Sequence, residues 1–260
     1  MECPDQGRLP LMTSTSTGSH AAERGTDQSP EEHSQLLGLV WVSRPLPALA
    51  FTAAIMLAAA LAGRSASGVL LAGAAAFVGQ LLLAMINDVV DRKTDAQAGR
   101  SGKPVADGRL IKGNVTFAAA VLGLLVVPLS LTSGVTAGLF HLGFLVIAVA
   151  GTFALRSSAL SPLPWAASYA LLPFFLSYGG EQGSAPSVAA VVLTALLGVG
   201  IHFLRALPDL VADHRTEVRH LPLRLGLKLG APKLLAVTVA YVALVTIGLL
   251  IVLLGPGLSS

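Results

Sequence analysis

A chain of 260 residues with 53% hydrophobic and only 12% charged residues, and a mean hydropathy of +0.73, is not a water-soluble domain; such a domain carries roughly a quarter of its residues as charges. The net charge of +3 gives no ground for nucleic-acid binding, and a single cysteine, Cys3, excludes a disulfide framework and a thiolate metal site. What remains is an integral membrane protein.

Residues 1–36 are rich in Ser, Thr, Gly, Asp and Glu and hold no apolar run, which predicts a disordered tail. They also lack the basic start and short apolar stretch of a cleavable signal, so the first span is expected to serve as its own insertion signal. The rest, 37–260, reads as one transmembrane domain. Uncharged apolar stretches follow at 46–63, 67–87, 114–134, 135–155, 158–180, 187–204 and 234–254. Each is near the ~20 residues that carry a helix across a hydrocarbon core. Lipid leaves no backbone group unpaired cheaply, and none of the stretches alternates as a barrel strand does, so each is predicted to be helical. The expected fold class is all-α: a multi-pass transmembrane bundle of about seven helices.

Of the 17 Lys and Arg residues, 16 lie before span 1, between 2 and 3, between 4 and 5, or between 6 and 7. With seven spans these segments share one side, and only Arg64 falls opposite. The positive-inside rule then predicts a cytoplasmic N-terminus, cytoplasmic loops at these positions and an external C-terminus in the plasma membrane.

The acids are as unevenly placed. Six of the 14 lie in the tail, and Glu181 lies in a loop on the other side. The remaining seven share the two large basic segments. Asp88, Asp91 and Asp95 are spaced i, i+3, i+7, with Asn87 beside them, and Asp209, Asp213 and Glu217 are spaced i, i+4, i+8. Each set shares one side of a helix. Like charges so placed repel unless a cation sits among them, and hard oxygen ligands suit Mg²⁺, which fills its other positions with water and phosphate oxygens. Two such faces, one after span 2 and one after span 6, are suited to clamp a diphosphate between them. The candidate metal ligands are Asn87, Asp88, Asp91, Asp95, Asp209 and Asp213. The candidate diphosphate contacts are Asn87, Arg92, Lys103, Arg156 and Arg215, with Lys93, Arg100 and Arg205 also interleaved. Charges gather at helix ends in any membrane protein, so the second motif alone is better explained by solvation. The four groups at 87–95 have no such bland purpose. A cation carrier is the rival class, but it would place acids near the bilayer midplane, whereas these lie at helix ends and in loops.

The run Asn87-Asp88-Val89-Val90-Asp91-Arg92-Lys93-Thr94-Asp95 resembles N-D-x-x-D-x-x-x-D, the first signature of the UbiA superfamily of intramembrane prenyltransferases. Gly102-Lys103-Pro104-Val105-Ala106-Asp107-Gly108 is similar to its R-P-x-x-x-G stretch, with Lys for Arg. Ala206-Leu207-Pro208-Asp209-Leu210-Val211-Ala212-Asp213 resembles the second aspartate motif, Leu221–Gly226 the T-L-P-x-x-L-G tail, and Arg44-Pro45 the family's start. The resemblance covers 37–254. Three features depart from it. The family commonly has nine helices, Glu217 stands where Gly is usual, and Leu155-Arg156-Ser157-Ser158 replaces an expected Tyr and Lys, with Arg156 in the place of the Lys.

The resemblance implies Mg²⁺-dependent transfer of a prenyl group from a polyprenyl diphosphate to a small acceptor, usually aromatic, with an allylic cation kept from water. Asp91 and Asp213, one per motif, are the carboxylates on which turnover is expected to depend. Within the superfamily, cyclisation of the donor without an acceptor and attachment of a sugar phosphate stay open. Trp165, Tyr169, Phe174, Phe175, Tyr178 and Phe203 supply the aromatic groups, of which Trp and Tyr near span ends read more readily as interface anchors. His141 is expected to be structural, and His202 a packed, hydrogen-bonded side chain rather than a base.

Overall fold

The computed structural model describes residues 30–100, 102–181, 183–216 and 218–255. Among these residues all regular structure is helical. The helices are α1 (Pro30–Val42), α2 (Pro45–Leu61), α3 (Ala66–Ala98), α4 (Lys112–Leu131), α5 (Val135–Ala154), α6 (Pro162–Tyr169), α7 (Leu172–Tyr178), α8 (Val188–Ala206), α9 (Leu210–Arg215), α10 (Leu221–Leu229) and α11 (Ala231–Leu254), with a 3₁₀ turn at Leu207–Asp209.

All seven apolar stretches are helical. α3, α4, α5, the run Val188–Arg215 and α11 are long and apolar enough to cross a membrane, and α2 is a shorter apolar helix. Leu124, Leu244 and Ile251 stand exposed on the outside of the bundle, an arrangement that only an apolar surrounding makes cheap. The fifth stretch differs from the single helix expected over 158–180. It is two short helices, α6 and α7, broken at Ala170–Leu171. Pro173 is the cause: its ring clashes with the carbonyl four residues earlier, and α6 ends at that residue, Tyr169. Pro208 tightens the chain in the same way, and the sixth span passes through its 3₁₀ turn before continuing as α9.

Helix α1 starts at Pro30 and so overlaps the last seven residues of the expected tail. Its Leu39 and Val42 pack against Met85, Val105, Leu110 and Val115. The side chain of Gln35 accepts from Ile111 N–H and donates to Arg109 C=O, both at 3.2 Å. The helix is therefore held by the loop that follows the first motif, a tertiary partner invisible in composition. Residues 1–29 lie outside the described residues.

The spans pack in sequence, α2 on α3, α3 on α4 and α4 on α5, then α5 on α6 and α7, α6 on α8, and α8 on α11. Small residues let them approach. A Cβ at Gly138 would lie 2.7 Å from the Ser130 carbonyl oxygen, and one at Gly198 would lie 2.8 Å from Tyr169. The result is a bundle with a hollow between α2, α3, α5, α6 and α8, opening at the end where both aspartate motifs lie. The amphipathic helix α10, which the sequence pattern did not distinguish from loop, closes part of that end by packing Leu223 on Leu210 and Leu234.

Candidate functional site

Helix α3 runs eleven residues past its apolar stretch and carries the first motif on its last turns. At about 100° per residue, Asn87 and Asp91 point roughly 40° apart and Asp88 and Asp95 roughly 20° apart. The motif's one expected face therefore divides. Asn87 and Asp91 line the hollow, while Asp88 and Asp95 turn to the loop after the helix and are buried there. Gly99, in the left-handed conformation at φ 62°, ends α3 and lets the chain fold back so that Arg100 and Lys103 meet those acids. Lys103 Nζ stands 3.4 Å from Asp88 Oδ1 and 2.8 Å from Asp95 Oδ2, and Arg100 bonds Asp95 Oδ1 at 2.7 Å. Asp88 and Asp95, expected as metal ligands, are thus placed as anchors of two cations.

The second motif arrives from the other side of the hollow on the 3₁₀ turn and α9, and both Asp209 and Asp213 line it. Arg100 joins the two motifs. Besides Asp95 it pairs with Asp213 and lies 3.8 Å from Asp209. Burial works against the charge of Arg100, but Asp209, Asp213 and Asp95 outweigh it and raise its pKa above the usual arginine value. Arg156, in the turn between α5 and α6, pairs with Asp91. Burial lowers its pKa, against the opposing pull of Asp213 and Asp209. The repulsion expected among the carboxylates is relieved by these cations.

The hollow has a volume of about 220 Å³ and is lined by Asp91, Asp209 and Asp213 together with five cations, Arg44, Arg100, Lys103, Arg156 and Arg205. The excess of positive charge suits an anion. Arg44 holds the left-handed conformation, φ 48° and ψ 65°, just before the proline that opens α2; a non-glycine residue held there is under strain of a kind that gathers at functional sites. Arg205 lies 5.4 Å over the Trp165 ring. Of the expected diphosphate contacts, Lys103 and Arg156 line the hollow, whereas Arg92 and Arg215 are exposed on the outer sides of their helices and do not. Asn87 lines it, but its Oδ1, the atom able to bind a metal, accepts the Thr152 hydroxyl at 2.9 Å. Glu217 lies outside the described residues.

The aromatic groups also separate. Trp165 and Tyr169 line the hollow instead of anchoring an interface. Phe174 and Tyr178 stack on Phe140, and Phe175 is fully buried against His141, so these sit in packed core. His141 is structural, bonded through Nδ1 to Ser130 at 2.8 Å. His202 lines the hollow and meets Ser161 Oγ at 3.0 Å. Sequence reasoning missed Gln80, Ser161 and His220 as lining residues. None belongs to a charged cluster, and only the meeting of distant helices brings them here.

An apolar hollow of about 530 Å³ adjoins the polar one, sharing Arg44, Pro47, Gln80, Tyr169 and Arg205 with it, and is walled by α2, α6, α7, α8 and α11 through residues such as Phe51, Ile55, Leu176, Leu197 and Leu249. Among the described residues no three or more His, Cys, Asp or Glu side chains are grouped to hold a metal ion by themselves.

The sequence pattern of the UbiA prenyltransferase family matches residues 48–259. No curated protein matches the chain. Among solved structures, the chain is similar to a UbiA homolog from Archaeoglobus fulgidus bound to DMAPP and Mg²⁺, with a TM-score of 0.64 at 16% identity over 81% of this chain and 76% of that one. A UbiA homolog from the same organism bound to GPP and Mg²⁺ gives 0.59 at 16% identity with the same coverage. A further structure of a UbiA homolog from that organism gives 0.55 at 13% identity over 85% and 86%. At these identities the likeness is one of fold.

Proposed function

Because the chain belongs to the UbiA prenyltransferase family, we propose that it transfers a prenyl group, in the membrane and with Mg²⁺, from a prenyl diphosphate to a small aromatic acceptor. One observation carries this reading: a cation-rich hollow flanked by two aspartate motifs shares a wall with a larger apolar one. A donor with a diphosphate head and an isoprenoid tail has that division of polarity.

The donor set fits the metal. Mg²⁺ takes one or two carboxylates and completes its shell with phosphate oxygens and water, so it needs no group of three acids. Asp91, Asp209 and Asp213 offer hard oxygens to the hollow, and the Asp209 side chain is 45% exposed with its cation no closer than 3.8 Å. These three would hold Mg²⁺ as it enters with the diphosphate. Bound there, the metal supplies positive charge against the departing diphosphate. The chain's own part is positional. Arg100, Lys103 and Arg156 hold the head by charge-assisted contacts. The apolar walls order the tail and keep water from the allylic carbon. Tyr169 and Arg205 border the head-to-tail junction, with Trp165 and His202 beside them, where the acceptor ring meets that carbon. The motif end lies on the cytoplasmic side of the plasma membrane in this reading, and a reporter fused after Ser260 reads as external.

The test is the product formed by the purified protein given labelled DMAPP or GPP, Mg²⁺ and a panel of phenolic and quinone-precursor acceptors. Transfer predicts product only when an acceptor is present. Diphosphate release at the same rate without acceptor, accompanied by a cyclic product, replaces transfer by cyclisation.

A further inference from the structure

His220 lies between the second motif and α10, is 5% exposed and is bonded at both ring nitrogens. Leu223 N–H donates to its Nδ1 at 3.0 Å, which caps the first turn of α10. A ring nitrogen that accepts carries no proton, so in the neutral ring the proton is on Nε2. Nε2 faces Asp213 Oδ2 at 2.7 Å. One oxygen of Asp213 is thereby occupied, and the other, Oδ1, is the one that pairs with Arg100. The next residue is pinned as well, since Leu221 N–H donates to Ser161 Oγ at 3.3 Å, and that hydroxyl also meets His202. The start of α10 thus ties the second motif to the turn before α6.

Asp213 needs such a support. It stands on α9, a helix of only six residues that follows a 3₁₀ turn and stops two residues later. So short a helix does not fix a carboxylate by its own stiffness. We propose that His220 is a positioning residue of the site: its Nε2–H holds Asp213 Oδ2, so that Oδ1, the oxygen now paired with Arg100, is the one left for a divalent cation arriving with a prenyl diphosphate. This rests on the metal–diphosphate reading above. The imidazole does so as a neutral donor, with its tautomer set by the cap it makes. A support of this kind to a ligating carboxylate typically governs metal affinity by 10–100-fold.

The two bonds of His220 are separable by substitution. Threonine caps a helix well but is too short to reach Asp213. Glutamine reaches Asp213 with an N–H and caps poorly. The measurements are Mn²⁺ affinity by EPR with an unreactive prenyl thiolodiphosphate bound, the thermal midpoint in detergent, and the split of kcat and KM with GPP. H220T is expected to melt like the wild type, to bind Mn²⁺ about 10–100-fold more weakly, and to need correspondingly more Mg²⁺ for turnover. H220Q is expected to recover most of the Mn²⁺ affinity while melting earlier. Should H220T not fold, H220N, which also caps and falls short of Asp213, takes its place. Wild-type Mn²⁺ affinity in the cap-preserving variant, or equal losses in H220T and H220Q, overturns the proposal and leaves His220 a helix cap. A wild-type protein that binds no Mn²⁺ alongside the diphosphate overturns it too, together with the reading beneath it.

Discussion

Each end of the bundle buries an arginine. At the motif end Arg100 sits in a cage of carboxylates from both motifs, and their charge raises its pKa despite burial. At the other end Arg64, 7% exposed, has no carboxylate partner among the described residues, and burial lowers its pKa to about 10. Its Nε donates to Leu176 C=O at 3.2 Å, one terminal nitrogen to Phe175 C=O and the other to Ser133 Oγ at 3.0 Å, while the guanidinium lies 4.9 Å over the Phe175 ring. Those carbonyls belong to the last turn of α7, where backbone acceptors are left over and the helix dipole is negative. A Cβ at Gly179 would collide with the guanidinium. Arg64 is thus the cap of a broken helix, which accounts for a basic residue at the end opposite the motifs. The lesson is that burial of a cation does not by itself mark a site. What matters is whether its partners can be exchanged for a ligand: carboxylates around an open hollow can be, and helix-end carbonyls in packed core cannot.

Three experiments break or sharpen that comparison. The largest effect is expected from the carboxylates facing the hollow. Asp91→Ala and Asp213→Ala should each lower diphosphate release by at least about 10²–10³-fold, with insertion and expression unchanged. Near-normal rates in both would move the chemistry elsewhere.

The arginines themselves come next. Arg100→Ala should lower the activity of the folded fraction about tenfold or more, since a charge-assisted contact is worth ~1.5–3 kcal/mol. Arg64→Ala should spare that activity. Loss of its bonds to buried carbonyls should cost about 2–3 kcal/mol of stability, while the folded fraction turns over with wild-type kcat and KM. Thermal melts in detergent beside steady-state kinetics give both readouts, and a swapped pattern would end the contrast.

The smallest effect is expected at Arg156, which pairs with Asp91 but is 26% exposed on its side chain. Arg156→Ala should raise KM for the prenyl diphosphate by up to about tenfold, less than a fully buried contact would cost. Arg156→Lys should recover part of it by restoring charge without the planar fork. An unchanged KM in the alanine variant would reduce Arg156 to a partner of Asp91 alone.

Much of this molecule was legible without coordinates, because the relevant physics is local or compositional. Lipid tolerates only long apolar helices, so length and hydropathy gave the bundle and its seven stretches. The i, i+3, i+7 spacing at 87–95 put the acids on one side of a helix by geometry alone, and the interleaved bases followed from the repulsion of like charges. Pro173 carried the break in the fifth span in plain view, although apolar length outweighed it in the reading. Helix α10 escaped because its leucines at 221, 223, 225, 227 and 229 recur every second residue, a period that does not announce a helix.

What only tertiary structure decided is which side of each element meets which neighbour. Asp88 and Asp95 differ from Asp91 by roughly 40–60° around α3, too little for a spacing rule to separate. The chain folding back at Gly99 turned that small angle into two roles, anchor and cavity wall. Arg92 and Arg215 carry the same charge as Lys103 and Arg156, yet face outward, because the rotation of α3 and α9 is set by what they pack against. Arg44, Gln80, Ser161, Arg205 and His220 lie far apart in the chain and become one surface only where α2, α3, α6, α8 and the start of α10 converge. Local forces select the helices; the surface they share exists only once those helices are packed, and that surface is the candidate site.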